Sequence, residues 1–220
     1  MEIKVVQKVL AANDLLAAQN RSLFAEKKVF VVNVMSSPGS GKTTLLEKTL
    51  RALAPELKAG VIVGDITTSN DARRLSQSGA PVVQINTEPF GGDCHLSAQA
   101  VRAAADGLDL DALDLLIVEN VGNLVCPAEF DIGEHRRVVV LSVAEGEDKP
   151  VKYPLMFRVC DAAVLSKVDL LPHLDYDIAL TRNYIHQVHP GMTVFELSSK
   201  TGQGLEPWFA WLKNQAAGRA

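Results

Sequence analysis

A mainly parallel β-sheet flanked by helices on both faces, entered by an N-terminal amphipathic helix, is the α/β architecture this sequence predicts. Three observations predict it. The apolar runs "KVFVVNVM" (28–35) and "LDLLIVEN" (113–120) are rich in β-branched residues and do not alternate with polar ones, the mark of strands buried on both faces. Segments of helical spacing separate such runs along the chain. A Gly/Ser/Pro turn joins the first run to the first of those helices.

In chain order, residues 3–26 repeat apolar positions at helical spacing (Val5, Val9, Leu16, Leu23) and predict a helix leading into the domain. After the strand at 28–35, "TTLLEKTLRAL" predicts a helix, "AGVIVGD" a strand and "NDARRLSQSG" a helix. "PVVQIN" is a strand, and "HLSAQAVRAAADG" a helix reached through a long loop. "LDLLIVEN", "RRVVVLSVAEG", "DAAVLSKVDL" and "MTVFELS" are the remaining strands, with helices from about Asp175 to Val188 and from Leu205 to Ala216. No internal repeat, low-complexity tract or linker interrupts the series. The expected organisation is a single domain over 1–220, with 1–27 as a helical extension.

Composition narrows the function classes. With 220 residues, 47% hydrophobic and 22% charged, one globular core of full size is expected. A net charge of -4 gives no footprint for nucleic acid. No stretch is long and apolar enough to span a bilayer, and "MEIKVVQKVL" lacks the apolar core of a signal peptide. Three cysteines are too few and odd in number for a disulfide framework, so a reducing cytoplasm is expected, without membrane or nucleic-acid partners.

The turn "SSPGSGKTT" (Ser36–Thr44) sits between strand and helix, the context a phosphate-binding P-loop requires. Gly39, Ser40 and Gly41 let backbone N–H groups turn inward, and Lys42 is placed to reach the β- and γ-phosphates. Thr43 offers a hydroxyl to Mg²⁺, followed by Thr44; Ser36 stands where the pattern usually has Gly. "VLSKVDL" (164–170) is similar to the guanine-reading Asn-Lys-x-Asp of GTPases, with Lys167 to pack on the base and Asp169 to accept from guanine's N1–H and amine. Ser166 replaces the Asn, removing an amide expected to brace the loop. "LSSKTG" (197–202), with Ser198, Ser199 and Lys200, lies where a backbone donor to guanine O6 is expected. "ENVG" supplies Glu119 for Mg²⁺ and Gly122, whose N–H can test for a γ-phosphate. "GDITTSNDARR" supplies Asp65, Thr68 and Asp71, Asp65 being the candidate for the Mg²⁺ shell or the attacking water. Arg73 and Arg74 read as a solvated face. Lys42, Asp65 and Glu119 form the expected catalytic set.

Cys94 and His95 are adjacent, and Cys126 lies in "NLVCPAEF". Two thiolates and an imidazole suit Zn²⁺ or Ni²⁺. Spacing alone leaves a second reading open, in which Cys126 is a small buried residue and His95 caps a helix. Cys160, in "LMFRVCDAAV", reads as core.

The strings "SSPGSGKTTLLE", "CHL", "ENVGNLVCPAEFDIGE" and "EGEDKPVKYPLMF" together resemble the HypB family, the hydrogenase nickel-incorporation GTPases of the SIMIBI class of P-loop NTPases, related to UreG. The resemblance runs from about Lys28 to the C-terminus. It implies slow hydrolysis of GTP to GDP with Mg²⁺, and Ni²⁺ or Zn²⁺ on Cys94, His95 and Cys126 at a homodimer interface. It further implies work with the accessory protein HypA and the [NiFe]-hydrogenase large subunit. The family's N-terminal cysteine motif and histidine-rich stretch find no match before Lys28, so nickel storage is not expected. "NTEPFGGDCH" is longer than the family's usual form, and Ser97 stands where an Asp is common.

Overall fold

The structure is a computed structural model that describes residues 4–65, 69–87 and 94–218. Seven strands form one sheet: β1 Phe30–Ser36, β2 Ala59–Asp65, β3 Val82–Asn86, β4 Leu115–Gly122, β5 Arg136–Ser142, β6 Ala162–Ser166 and β7 Thr193–Glu196. Their order is β3-β2-β4-β1-β5-β6-β7, and every neighbouring pair is parallel. The chain winds outward from β1 in one direction to β3, inserts β4 beside β1, then winds the other way. That reversal opens a crevice beyond the carboxyl ends of β1 and β4, where α/β sheets of this kind bind ligands.

Burial of both sheet faces explains the unalternating strands. Phe30, Val32 and Val34 of β1 pack on one side with Leu45, Leu46, Leu50 and Leu53 of α2 (Lys42–Leu53), Leu75 of α3 (Asn70–Ser76) and Trp208, Phe209 and Leu212 of a C-terminal helix. Trp208 is fully buried, and its indole N–H donates to Thr49 Oγ1 at 2.9 Å, so its polar end is not stranded in the core. On the other face, Phe24 of α1 (Lys4–Glu26) and Val101, Ala104 and Ala105 of α4 (Ala98–Ala105) cover Val31, Ile62, Leu116 and Val118. Beside them, α7 (Pro154–Val159) and α8 (Ile178–Val188) bring Met156, Phe157 and Ile185 against Met35, Val139 and Leu165. Cys160 lies in this cluster, and burial pushes its thiol pKa up. It is core, as expected. Two short helices, α5 (Cys126–Glu129) and α6 (Lys149–Lys152), precede α7, and α9 (Leu205–Ala217) closes the chain.

Helix α1 attaches through a polar seam that apolar spacing did not foresee. Its buried stripe is Asn13, Ala17, Asn20 and Phe24, while Leu15 is exposed. Asn20 Nδ2 donates to the carbonyls of Ala98 and Ile132, and Asn13 donates to the Asp131 carbonyl and accepts from the Ala98 N–H. Gly133, at φ 89°, sits so close that a side-chain carbon there would meet Ala17 O at 2.7 Å.

Several boundaries differ from the expected ones, each for a local reason. The strand expected over 161–170 stops at Ser166 because Lys167 adopts φ 61°, and a 3₁₀ turn follows. The strand expected to reach Gly146 stops at Ser142, where a capping box with Glu145 starts another such turn. Helix α4 begins at Ala98, not at His95, because Ser97 Oγ accepts the Ala100 N–H as its N-cap. His95 therefore does not cap it. Helices α5 to α7 were not anticipated; each carries Pro near its start, a pre-set first turn too short to show periodicity.

Candidate nucleotide site and adjoining metal triad

The phosphate cradle grows out of β1. Its last residue, Ser36, enters a loop in which Gly39 and Gly41 hold φ 76° and 89°, conformations that favour glycine, and α2 starts at Lys42. The N-terminal turn of α2 thus points its free N–H groups into a cavity of about 560 Å³. Asp65, from the end of β2, and Glu119 and Gly122, from the end of β4, line the same cavity with Lys42, Thr43 and Thr44. Gly122 lies against the loop: a side-chain carbon there would meet Pro38 Cα at 3.2 Å. Thr68 falls outside the described residues.

Glu119 organises the floor. It is 1% exposed, its Oε1 accepts the Thr43 hydroxyl at 2.6 Å, and Lys42 Nζ stands 3.4 Å from the same oxygen. Its Oε2 is buried without a hydrogen-bond partner among the described residues. Burial pushes the Glu119 carboxyl pKa up, against the pull of the Lys42 ammonium and the Thr43 hydroxyl. A bare buried carboxylate oxygen next to the Thr43 hydroxyl, in a cavity that Asp65 also lines, is a hard-oxygen donor set, which fits Mg²⁺.

Two contacts here escaped the sequence reading. Arg74 lines the cavity, and its guanidinium donates to Thr44 Oγ1 at 3.0 Å and Glu47 Oε2 at 3.1 Å, so it is not simply part of a solvated face. Its place three residues after Asp71 on α3, and so on the same helical face, was a usable signal. Ser37 Oγ donates to the Glu145 carboxylate, which ties the cradle to the end of β5. No local pattern announces that contact.

Beside the cradle, a cavity of about 220 Å³ is lined by Ser166, Lys167, Asp169, Ser198, Ser199 and Lys200. Lys167 Nζ donates to the Gly39 carbonyl at 2.7 Å, so its stem crosses the loop. Asp169 Oδ1 accepts from Ser198 Oγ at 2.6 Å, and Ser198 Oγ in turn accepts the N–H groups of Lys200 and Thr201 at 3.2 Å. Ser166 keeps the brace its substitution was expected to remove: its hydroxyl donates to the Ser40 carbonyl at 2.5 Å.

The third feature lies past Gly122. Asn123 Oδ1 accepts the Val125 N–H at 2.8 Å, a side-chain turn that delivers Cys126 to the first position of α5. Cys94 Sγ, His95 and Cys126 Sγ bring one ligand atom each within 4.8 Å of one another, and all three are half-buried. Cys94 Sγ is 3.9 Å from His95 Nδ1, and the imidazole stacks on Phe130 at 3.6 Å between centroids. Ligands about 3.5–4 Å apart suit a tetrahedral ion with bonds near 2.3 Å, so small adjustments close the site. Cys126 is not the small buried residue of the alternative reading. Residues 88–93, the start of the long loop before Cys94, are outside the described set.

Residues 30–196 match the family model described as CobW/HypB/UreG, nucleotide-binding domain. The hydrogenase maturation factor HypB of Rhizobium leguminosarum bv. viciae is 49% identical over 218 residues, covering 99% of this chain and 72% of the relative. A crystal structure of HypB from Helicobacter pylori in complex with nickel superimposes with TM-score 0.88 at 38% identity, covering 94% of this chain and 96% of that one. HypB from Archaeoglobus fulgidus gives TM-score 0.87 at 37% identity, over 94% and 99%.

Proposed function

Because this chain belongs to the CobW/HypB/UreG family, among the HypB hydrogenase maturation factors, we propose that it is a GTP-hydrolysing metallochaperone delivering nickel to the [NiFe]-hydrogenase large subunit. The observation that carries the reading is the short path from Gly122, against the phosphate cradle, to Cys126 in the metal triad. A segment that shifts with the γ-phosphate must shift a thiolate with it.

In this reading Lys42 places its ammonium on the β- and γ-phosphates, and Asp65 orients the attacking water. Thr43, Asp65 and Glu119 would hold Mg²⁺, which would supply charge neutralisation on the phosphates. Lys167 and Asp169 select guanine, with Ser198 fixing the carboxylate that accepts from the base. The cradle N–H groups, already aimed at the phosphates by the turn of α2, supply electrostatic stabilisation without reorganisation. Ni²⁺ or Zn²⁺ is cargo on Cys94, His95 and Cys126. Residues 1–220 act as one GTPase domain with 1–27 as its helical extension. A homodimer, the accessory protein HypA and the hydrogenase large subunit are the proposed partners, and a cytoplasmic setting suits reduced thiolates.

The test is phosphate release by Lys42→Ala. Losing the ammonium removes charge stabilisation and positioning together, so turnover should fall by about 10²-fold or more with the circular dichroism spectrum unchanged. Turnover equal to the unmutated protein's would overturn the GTPase reading.

A further inference from the structure

The Cys94–His95 arm of the triad is bound to the nucleotide strands by a buried contact separate from the Gly122–Cys126 path. Leu96, directly after His95, is 1% exposed. Its backbone N–H donates to Asn120 Oδ1 at 3.3 Å, and the same oxygen accepts the Val121 N–H at 2.9 Å. Two N–H donors on one atom fix the orientation of the Asn120 amide. Its Nδ2 then donates to Asn33 Oδ1 at 3.1 Å, Asn33 donates to Glu134 Oε1 at 3.2 Å, and Arg137 Nε reaches that carboxylate oxygen at 2.5 Å. Asn120 itself is 1% exposed and lies between Glu119 and Val121 on β4.

The Leu96 side chain is held by the other acidic strand. A side-chain carbon on Gly64 of β2 would lie 2.8 Å from Leu96 Cδ1, so the leucine rests directly on the backbone preceding Asp65. Leu96 thus touches β2 through its side chain and β4 through its N–H, one residue before the acidic group of β2 and one after that of β4. Behind it, Asn13 of α1 accepts the Ala98 N–H and Ser97 caps α4. The segment 96–98 is therefore backed by fixed groups on one side and by the nucleotide strands on the other.

We infer that Asn120 is a positioning residue which, with Leu96, couples the Cys94–His95 arm to the nucleotide cavity. This rests on the proposed function above. A displacement at the ends of β2 and β4 moves the Asn120 amide and the Gly64 backbone, both of which seat Leu96, and His95 is peptide-bonded to Leu96. Nucleotide state then acts on the triad from both sides, through Cys126 along β4 and through His95 across the sheet. A bridge of this kind changes the ratio of metal affinities between nucleotide states. A mere structural brace changes stability and leaves that ratio alone.

The experiment measures nickel affinity of the full chain by titration with Ni²⁺ in GDP–Mg²⁺ and in a non-hydrolysable GTP analogue with Mg²⁺. It is run on the unmutated protein, Asn120→Leu and Leu96→Ala. Coupling in the unmutated protein is expected in the range of about 5–150-fold, and either variant should lower that ratio by about 3-fold or more while still binding each ligand, the remainder being carried through Cys126. Leu96→Ala serves if Asn120→Leu does not fold, because it removes the Gly64 contact without burying an unpaired group. A ratio as large as the unmutated protein's in a folded variant would overturn the role of this pair while leaving a nickel-binding GTPase intact. No coupling in the unmutated protein, with both ligands bound, would also overturn it. Failure to hydrolyse GTP or to bind nickel at all would instead bring down the proposed function, and this inference with it.

Discussion

Glu119 shows what a single residue contributes to such a site and what it costs. Its carboxyl is buried, one oxygen is shared by Thr43 and Lys42, and the other has no partner among the described residues. Burial raises its pKa above the ordinary 4.5. A group raised in this way contributes stability that is complete below its unfolded value and is lost as pH rises through its folded value. In ligand-free protein, Glu119→Gln should flatten that decline and raise the melting temperature at neutral pH, because the amide carries no charge to desolvate. It should also weaken Mg²⁺-dependent nucleotide binding. Thermal melts from pH 4 to 8 test this, and an unchanged pH slope would show that Glu119 is not the responsible group. At the base cavity, Asp169→Asn should cost about 1–3 kcal/mol of preference for GDP over ADP, since an amide cannot accept from both guanine donors. Competition binding gives the answer; a preference unaltered by the change would remove Asp169 from base selection.

At the scale of elements, the ends of β1 and β4 are in direct contact, and this makes the site mechanical. Gly122 meets Pro38 where an added methyl would lie 3.2 Å from backbone, closer than ordinary van der Waals contact. Gly122→Ala should therefore force the cradle and β4 apart by a few tenths of an ångström, an overpacking cost of about 1–3 kcal/mol. Affinity for a GTP analogue should fall more than affinity for GDP, because in the proposed reading the Gly122 N–H contacts the γ-phosphate. Equal losses for both nucleotides would argue that Gly122 only packs. The turn at Asn123 makes the consequence specific. It leaves little slack between Gly122 and Cys126, so strain at one end reaches the thiolate at the other.

For the whole molecule, the nucleotide cavity, the metal triad and an exposed apolar group share one edge. Val125 is 52% exposed, immediately before Cys126. Three protein donors leave a tetrahedral or square-planar ion with an open position, which a second copy of the chain can fill or shield. Zn²⁺ or Ni²⁺ should shift the protein from monomer to dimer in sedimentation velocity, and Cys126→Ala should abolish the shift while sparing GTP hydrolysis. Sedimentation unaffected by either metal would remove the metal-linked dimer.

By itself, the sequence determined the strand–helix alternation, the phosphate turn and the identity of the three metal-ligand candidates. These are local properties: β-branched runs need two covered faces, and the turn around Gly39 and Gly41 needs residues that tolerate positive φ. Contacts between segments distant in the chain carry no such local mark. Asn20 and Asn120 read as ordinary polar residues until the fold buries them, when an amide must find partners or lose stability. Ser166 read as a lost brace because only the packing of β6 against the cradle sets its hydroxyl on Ser40 O. Spacing alone left two readings of Cys126 for the same reason, since a candidate thiol can serve as a ligand only when other donors come within reach. Helix α5 and the Asn123 turn place it within 4.8 Å of Cys94 and His95, and that juxtaposition belongs to the tertiary structure alone.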